Sequence, residues 1–205
     1  IIHIPSWTDE INFIKKKKYK NKKLKILFTG NIGYAQNFNI TISVTKKLVN
    51  SNIKNFEWII VGDGRYKKKF IYYLKKQNLN KYFYFYNFQN HKNLKKFFNK
   101  ASVCYLSLDK GKILNSTIPG KLQTYMSLGM PVLGSISGEA YSIIKKSNCG
   151  LVSHASDETQ LFKNILIFLN MKNNEFKRMS KNGKKFVNNN FNKDKILNKL
   201  YKHLK

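Results

Sequence analysis

The chain has 205 residues, 42% of them hydrophobic, and 39 basic against 10 acidic side chains give it a formal net charge of +29. That length buries one full core with room for a short extension, and no stretch approaches the roughly 18 consecutive apolar residues of a membrane-spanning helix. Only Arg65 and Arg178 are arginines, the other basic residues being lysines, which argues against a dedicated nucleic-acid reader built on the planar arginine fork.

Residues 1–7 read as a short strand ending at Pro5 and Trp7, and residues 14–23 as a solvated, lysine-dense linker. The opening Ile1-Ile2-His3-Ile4-Pro5 falls in mid-strand by its pattern, so the chain is expected to be a piece of a longer protein. From Leu24 a regular alternation begins. An apolar run, 24–29, is followed by glycines and by a helix over 36–50 with an Ile40, Val44, Leu48 stripe. A second run, Phe56 to Val61, ends in Gly62-Asp63-Gly64 and leads to a helix over 66–77. The aromatic strand 82–86 passes through Asn87 to Asn90 into a helix over 91–100. Then come a strand over 103–108, a polar loop over 109–117, a helix over 119–128, a strand over 131–134, a helix over 138–146 and a strand over 150–152. A final helical region runs from Asp157, with breaks expected near Gly183 and Asn188 to Asn190.

This order predicts an α/β fold: right-handed βαβ units forming a parallel sheet with helices on both faces. Ligands of such sheets bind beyond the carboxyl ends of the strands. Two turns on that edge carry the chemistry. The first is Thr29-Gly30-Asn31-Ile32-Gly33, where Gly33 is expected to bring backbone N–H groups toward an anion. The second is Ile118-Pro119-Gly120-Lys121, where Pro119 suits a first helical position and Gly120 opens the backbone to a ligand. Lys121 adds a full charge at the positive end of the helix. A phosphate or diphosphate is the natural guest, while an ordinary strand-to-helix connection with a solvated lysine accounts for the same residues. Ser116 and Thr117 offer hydroxyls to a ribose or phosphate, or else cap the helix that follows.

Cys104 and Cys149 sit in apolar surroundings without ligand spacing, as buried reduced thiols of a cytosolic protein would. His3, His91, His154 and His203 each stand alone, and no catalytic residue is assigned. The chain holds 26 asparagines beside its lysines. Since Lys, Asn, Ile, Phe and Tyr belong to A/T-rich codons, the charge excess is read as mutational bias. Nucleic acid is therefore not the expected partner, whereas weak contact with anionic lipid is, each nearby lysine adding up to about 1 kcal/mol.

The order of motifs resembles the C-terminal, nucleotide-sugar-binding half of GT-B glycosyltransferases of family 4. Four stretches carry the likeness: Ile4-Pro5-Ser6-Trp7; Thr29-Gly30-Asn31-Ile32-Gly33-Tyr34-Ala35-Gln36; Val61-Gly62-Asp63-Gly64; and Ile118 to Val132, similar to "iPsKlqsYlaaGkPv". The likeness covers nearly all of the chain, and the variant it most resembles occurs in bacterial O-antigen and capsule transferases of the fucosamine transferase type. It implies a Rossmann-like donor domain over 24–170, preceded by a strand and linker (1–23) from a missing N-terminal acceptor-binding domain. The C-terminal helices over 171–205 would pack toward that domain. By the resemblance, Asn31, Gly33, Gln36, Ile118, Gly120 and Lys121 hold the donor diphosphate, and Phe88, Gln89, Ser116 and Thr124 meet base and ribose.

The implied activity is retaining transfer of a sugar from a nucleoside diphosphate sugar to a lipid-linked or saccharide acceptor, as in lipopolysaccharide synthesis. The implied location is cytoplasmic or peripheral at the inner membrane face. No cofactor or metal is called for. This chain departs from the family where Ser116 and Thr124 stand at two glutamate positions and Asn31 and Gln36 lie near two basic ones. An NAD-linked oxidoreductase is disfavoured, since no Gly-x-Gly-x-x-Gly follows a strand with an acid about twenty positions on. A basic module that binds nucleotide or an anionic surface without catalysis is the remaining alternative.

Overall fold

Six short runs rich in β-branched, leucine and aromatic residues form the centre of the protein, as seen in a computed structural model that describes residues 5–7 and 23–204. Most of the strand expected over 1–7, and of the linker over 14–23, lies outside the described residues. The strands are β1 (Leu24–Thr29), β2 (Phe56–Val61), β3 (Phe83–Tyr86), β4 (Val103–Ser107), β5 (Val132–Ser135) and β6 (Gly150–Ser153). All pair in parallel, in the order β3-β2-β1-β4-β5-β6. The order reverses between β1 and β4, and such a switch point opens a crevice at the carboxyl edge.

The helices are α1 (Phe38–Asn50), α2 (Lys67–Lys76), α3 (His91–Lys100), α4 (Lys112–Asn115), α5 (Gly120–Ser127), α6 (Gly138–Ser147), α7 (Glu158–Asn170), α8 (Asn173–Asn190) and α9 (Lys193–Leu204). Because successive side chains of a strand point to opposite faces, the two sheet faces build two cores. Ile26, Phe28, Trp58, Ile60 and Tyr105 meet α1, α2 and α7. Leu27, Ile59, Val61, Cys104 and Leu106 meet α3, α5, α6 and α8. Trp58 is fully buried, donates to Thr45 Oγ1 at 2.9 Å and stacks on Phe83. Both cysteines are buried, and burial pushes the Cys149 thiol up to about 11.

Several boundaries differ from the sequence reading, each for a local reason. Residues 34–36 form a separate 3₁₀ turn, and Asn37 then adopts a left-handed conformation (φ 44°) before α1. The loop over 109–117 contains the short helix α4. Pro119 precedes α5 as its cap residue, in an extended conformation (ψ 131°), so the helix begins at Gly120. Neither Ser116 nor Thr117 caps it. Their hydroxyls instead donate back to the Lys112 and Ile113 carbonyls.

The helix also runs unbroken through Gly183. A β-carbon there would lie 3.4 Å from the Met126 backbone and 3.3 Å from Cys149 Cβ. The glycine thus serves close approach of α8 to α5, a use that sequence reading mistakes for a helix break. Of α9, Ile196 is buried whereas Tyr201 is exposed. Among the described residues no helix is long and apolar enough to cross a membrane.

Candidate donor site at the switch point

The loops that leave β1 and β2 lie against each other at the carboxyl edge. Gly30 N–H donates to Val61 O at 2.8 Å, Ile32 N–H to Asp63 O at 2.7 Å, and Gly62 N–H to Tyr86 O at 2.9 Å. This zipper demands glycine: Gly62 has φ +149°, and a β-carbon on it would fall 1.9 Å from Gly30 O. A third loop, Asn87 to Asn90 after β3, is tied in by Lys67. Its ammonium reaches Gly62 O at 3.2 Å, Asn87 Oδ1 at 2.9 Å and Asp63 at 3.6 Å.

A cleft of about 200 Å³ lies between these loops, α3 and α5. Its walls are largely apolar, from Val61, Leu94, Phe98 and Leu128, and Phe88, Gln89, Lys121 and Gly30 also line it. Thr124, one turn along α5 from Lys121, lies on the same lining. The Thr124 hydroxyl donates to Gly120 O at 3.0 Å. Phe88, a large apolar ring on this lining, is 77% exposed.

Lys121 supplies the charge. Its ammonium lies 4.2 Å from the centroid of the buried Phe28 ring and packs over Gly30, where a β-carbon would come within 3.4 Å of Nζ. Among the described residues no carboxylate pairs with it, and no other charged side chain lines the cleft. Desolvation by burial lowers its pKa to about 8, since removing a cation from water disfavours the charged form. A cation held out of water without a counterion is primed for an anionic ligand that restores the balance.

Tyr125 holds the floor. Fully buried, it accepts from Thr29 N–H at 3.2 Å and exchanges a hydrogen bond with Thr29 Oγ1 at 3.1 Å, pinning the end of β1 to α5. Burial raises its phenol well above the ordinary range, so it acts as a neutral hydroxyl. Tyr125→Phe is expected to destabilise the fold by about 1–3 kcal/mol, because Thr29 N–H loses its buried acceptor. Urea unfolding measures this, and an unchanged midpoint would contradict the assignment.

Of the ten residues expected at the site, Phe88, Gln89, Lys121 and Thr124 come together on the cleft. Gly120 faces open space in front of α5, where a β-carbon would meet nothing within 4 Å. Gly33 and Gln36 engage each other, Gly33 N–H donating to Gln36 Oε1 at 2.9 Å. Asn31 is exposed beside Gly64, Ile118 packs half-buried on the second core, and Ser116 is exposed. The sequence reading missed Tyr125 and Lys67 as positioning residues. Lys67 had a signal in its four-residue spacing from Asp63, and Tyr125 had one in the motif over Ile118 to Val132, whose tyrosine it matches. Among the described residues no group of three His, Cys, Asp or Glu side chains is placed to hold a metal.

Sheet order and cleft together define a doubly wound α/β domain of the GT-B glycosyltransferase type, with a ligand-sized crevice at its switch point. Residues 9–186 match the family described as Glycosyl transferases group 1, and the chain belongs to that family. In structure it is similar to a TarM mutant from S. aureus, solved with fondaparinux, alpha-GlcNAc-glycerol and UDP (TM-score 0.81, 13% identity, 98% of this chain and 38% of that one). It is also similar to HepE of Anabaena, solved with UDP and glucose (TM-score 0.73, 13% identity, 89% and 48%). A third is WaaG, a glycosyltransferase involved in lipopolysaccharide biosynthesis (TM-score 0.65, 17% identity, 83% and 44%). This chain spans less than half the length of each. No curated protein matches it in sequence.

Proposed function

We propose that the chain is the donor-binding half of a retaining transferase of family 4, hexosyltransferase type. It would move a sugar from a nucleoside diphosphate sugar to a lipid-linked or saccharide acceptor during synthesis of cell-surface polysaccharide. The observation that carries this reading is the Lys121 ammonium, which no carboxylate among the described residues pairs, on an apolar cleft at the start of α5. The UDP in the TarM and HepE structures and the lipopolysaccharide role of WaaG support it.

In this reading the diphosphate lies at Lys121 and Gly120, with Asn31, Gly33, Gln36 and Ile118 on the rim. The base meets Phe88 and Gln89, and the pentose meets Thr124 and Ser116. As the glycosidic bond breaks, negative charge grows on the leaving diphosphate, and Lys121 with the first N–H groups of α5 stabilises it. That role needs no metal. The acceptor site and any catalytic group belong to a further domain, and the protein works in the cytoplasm with lysine contacts to the inner membrane face.

Calorimetric titration tests the reading. UDP or GDP is expected to bind about tenfold more tightly than its monophosphate, through the added charge-assisted contacts, and equal binding would refute the placement. The affinity should also fall as pH rises above about 8. Lys121 loses its charge through that range, whereas the terminal phosphate, with a pKa of about 6, is already ionised. A flat profile between about pH 7.5 and 9.5 would remove Lys121 from the contact.

A further inference from the structure

We infer that the cleft accepts ribonucleoside and 2′-deoxyribonucleoside diphosphates almost equally, so that its donors extend to thymidine nucleotides. This rests on the donor-site reading above. With the diphosphate at Lys121 and the base at Phe88 and Gln89, the pentose falls between them, against the turn of α5 that carries Thr124.

Rejecting a sugar that lacks its 2′-hydroxyl takes a protein group that the absent hydroxyl would leave unpaired. A carboxylate spanning the 2′- and 3′-hydroxyls does this best. Among the described residues no carboxylate lines the cleft. The acids on the neighbouring loops are engaged elsewhere. Asp63 accepts from Gly64 N–H and faces Lys67, in a separate hollow with Arg65 and Lys68. Asp109 accepts from Asn37 and from Lys110 N–H.

Ser116 is exposed and its hydroxyl donates to Lys112 O, and the other hydroxyl, that of Thr124, has its hydrogen committed to Gly120 O. Only its oxygen lone pairs face a ligand, and the residue is half-buried, so water replaces a lost partner. One such neutral contact is worth no more than about tenfold in affinity. Val61, Leu94 and Phe98 give the thymine methyl an apolar wall without displacing a polar partner.

Calorimetry on the 205-residue chain with UDP, dUDP, GDP, dGDP and dTDP tests this. For the base that binds more tightly, ribo and deoxyribo forms are expected to agree within about threefold, and dTDP to match dUDP within the same margin. Thr124→Glu should raise the ribo preference to about tenfold or more by supplying a charged acceptor. Thr124→Val should leave it near unity, with circular dichroism reporting the fold of both. If the glutamate variant unfolds, the wild-type and valine ratios decide. A ribo form more than about tenfold tighter than its deoxy partner, beyond one neutral hydrogen bond, overturns the inference and leaves the donor site standing, as does dTDP far weaker than dUDP. No binding by any diphosphate overturns both.

Discussion

Lys121→Ala is expected to weaken nucleoside diphosphate binding by about 10- to 100-fold, the range of one charge-assisted contact, while changing monophosphate affinity little. The fold should survive the change. In the native state the ammonium packs over the Phe28 ring and Gly30, largely withdrawn from water, and its pKa is lowered to about 8. A cation whose charged form is disfavoured by folding is a net burden at neutral pH.

The linkage has a definite sign. Between the folded value of about 8 and the ordinary lysine value of roughly 10.4, the unfolded chain binds more protons. Unfolding free energy therefore rises with pH through that window from this group. The alanine variant should lose that rise, and with the burden of the buried charge removed its urea midpoint at pH 7 should be no lower than the wild type's. Unaltered diphosphate affinity would sink both the donor site and the glycosyl-transfer reading built on it.

Gly62→Ala is expected to be the most damaging single substitution near the cleft, costing about 3 kcal/mol or more. The backbone there has φ +149°, and the new β-carbon would fall 1.9 Å from Gly30 O. Relief would require the loops after β1 and β2 to part, which breaks the Gly30 to Val61 bond at 2.8 Å and widens the cleft. UDP affinity should fall with stability. Gly111→Ala is the control. Its φ of 167° is extended, and a β-carbon would lie 3.7 Å from Leu114, so its effect should stay within about 0.5 kcal/mol. Similar urea midpoints for the two variants would refute the role given to the Gly30–Gly62 contact.

Much of this protein was legible in one dimension. The switch from strand runs to helical periodicity gave the six strands of the described residues and, α4 excepted, the helices between them within a few residues. The misplaced boundaries came where local signals are shared by different structures. A glycine inside a helical pattern reads as a break, yet Gly183 is there because α8 presses on α5. Hydroxyls ahead of a helix read as caps, yet Ser116 and Thr117 bond back into α4. For the site, the Gly120-Lys121 corner was marked by residue type and position, and the Phe88-Gln89 loop by the family resemblance alone. Tyr125 falls on the tyrosine of the motif over Ile118 to Val132, but its positioning role was not legible, because its partner, Thr29, lies 96 residues away.

Hydrophobic periodicity and turn chemistry act over one or two turns of chain, so the sequence by itself determined the element order, the parallel α/β class and the cationic start of α5. What only the tertiary structure decided was the company each of these keeps. Lys121 stands over the Phe28 ring, and among the described residues it has no counterion and the cleft holds no carboxylate. The reason is physical: desolvation and charge pairing depend on distances across the sheet, between strands joined by long crossovers, and no local pattern encodes them.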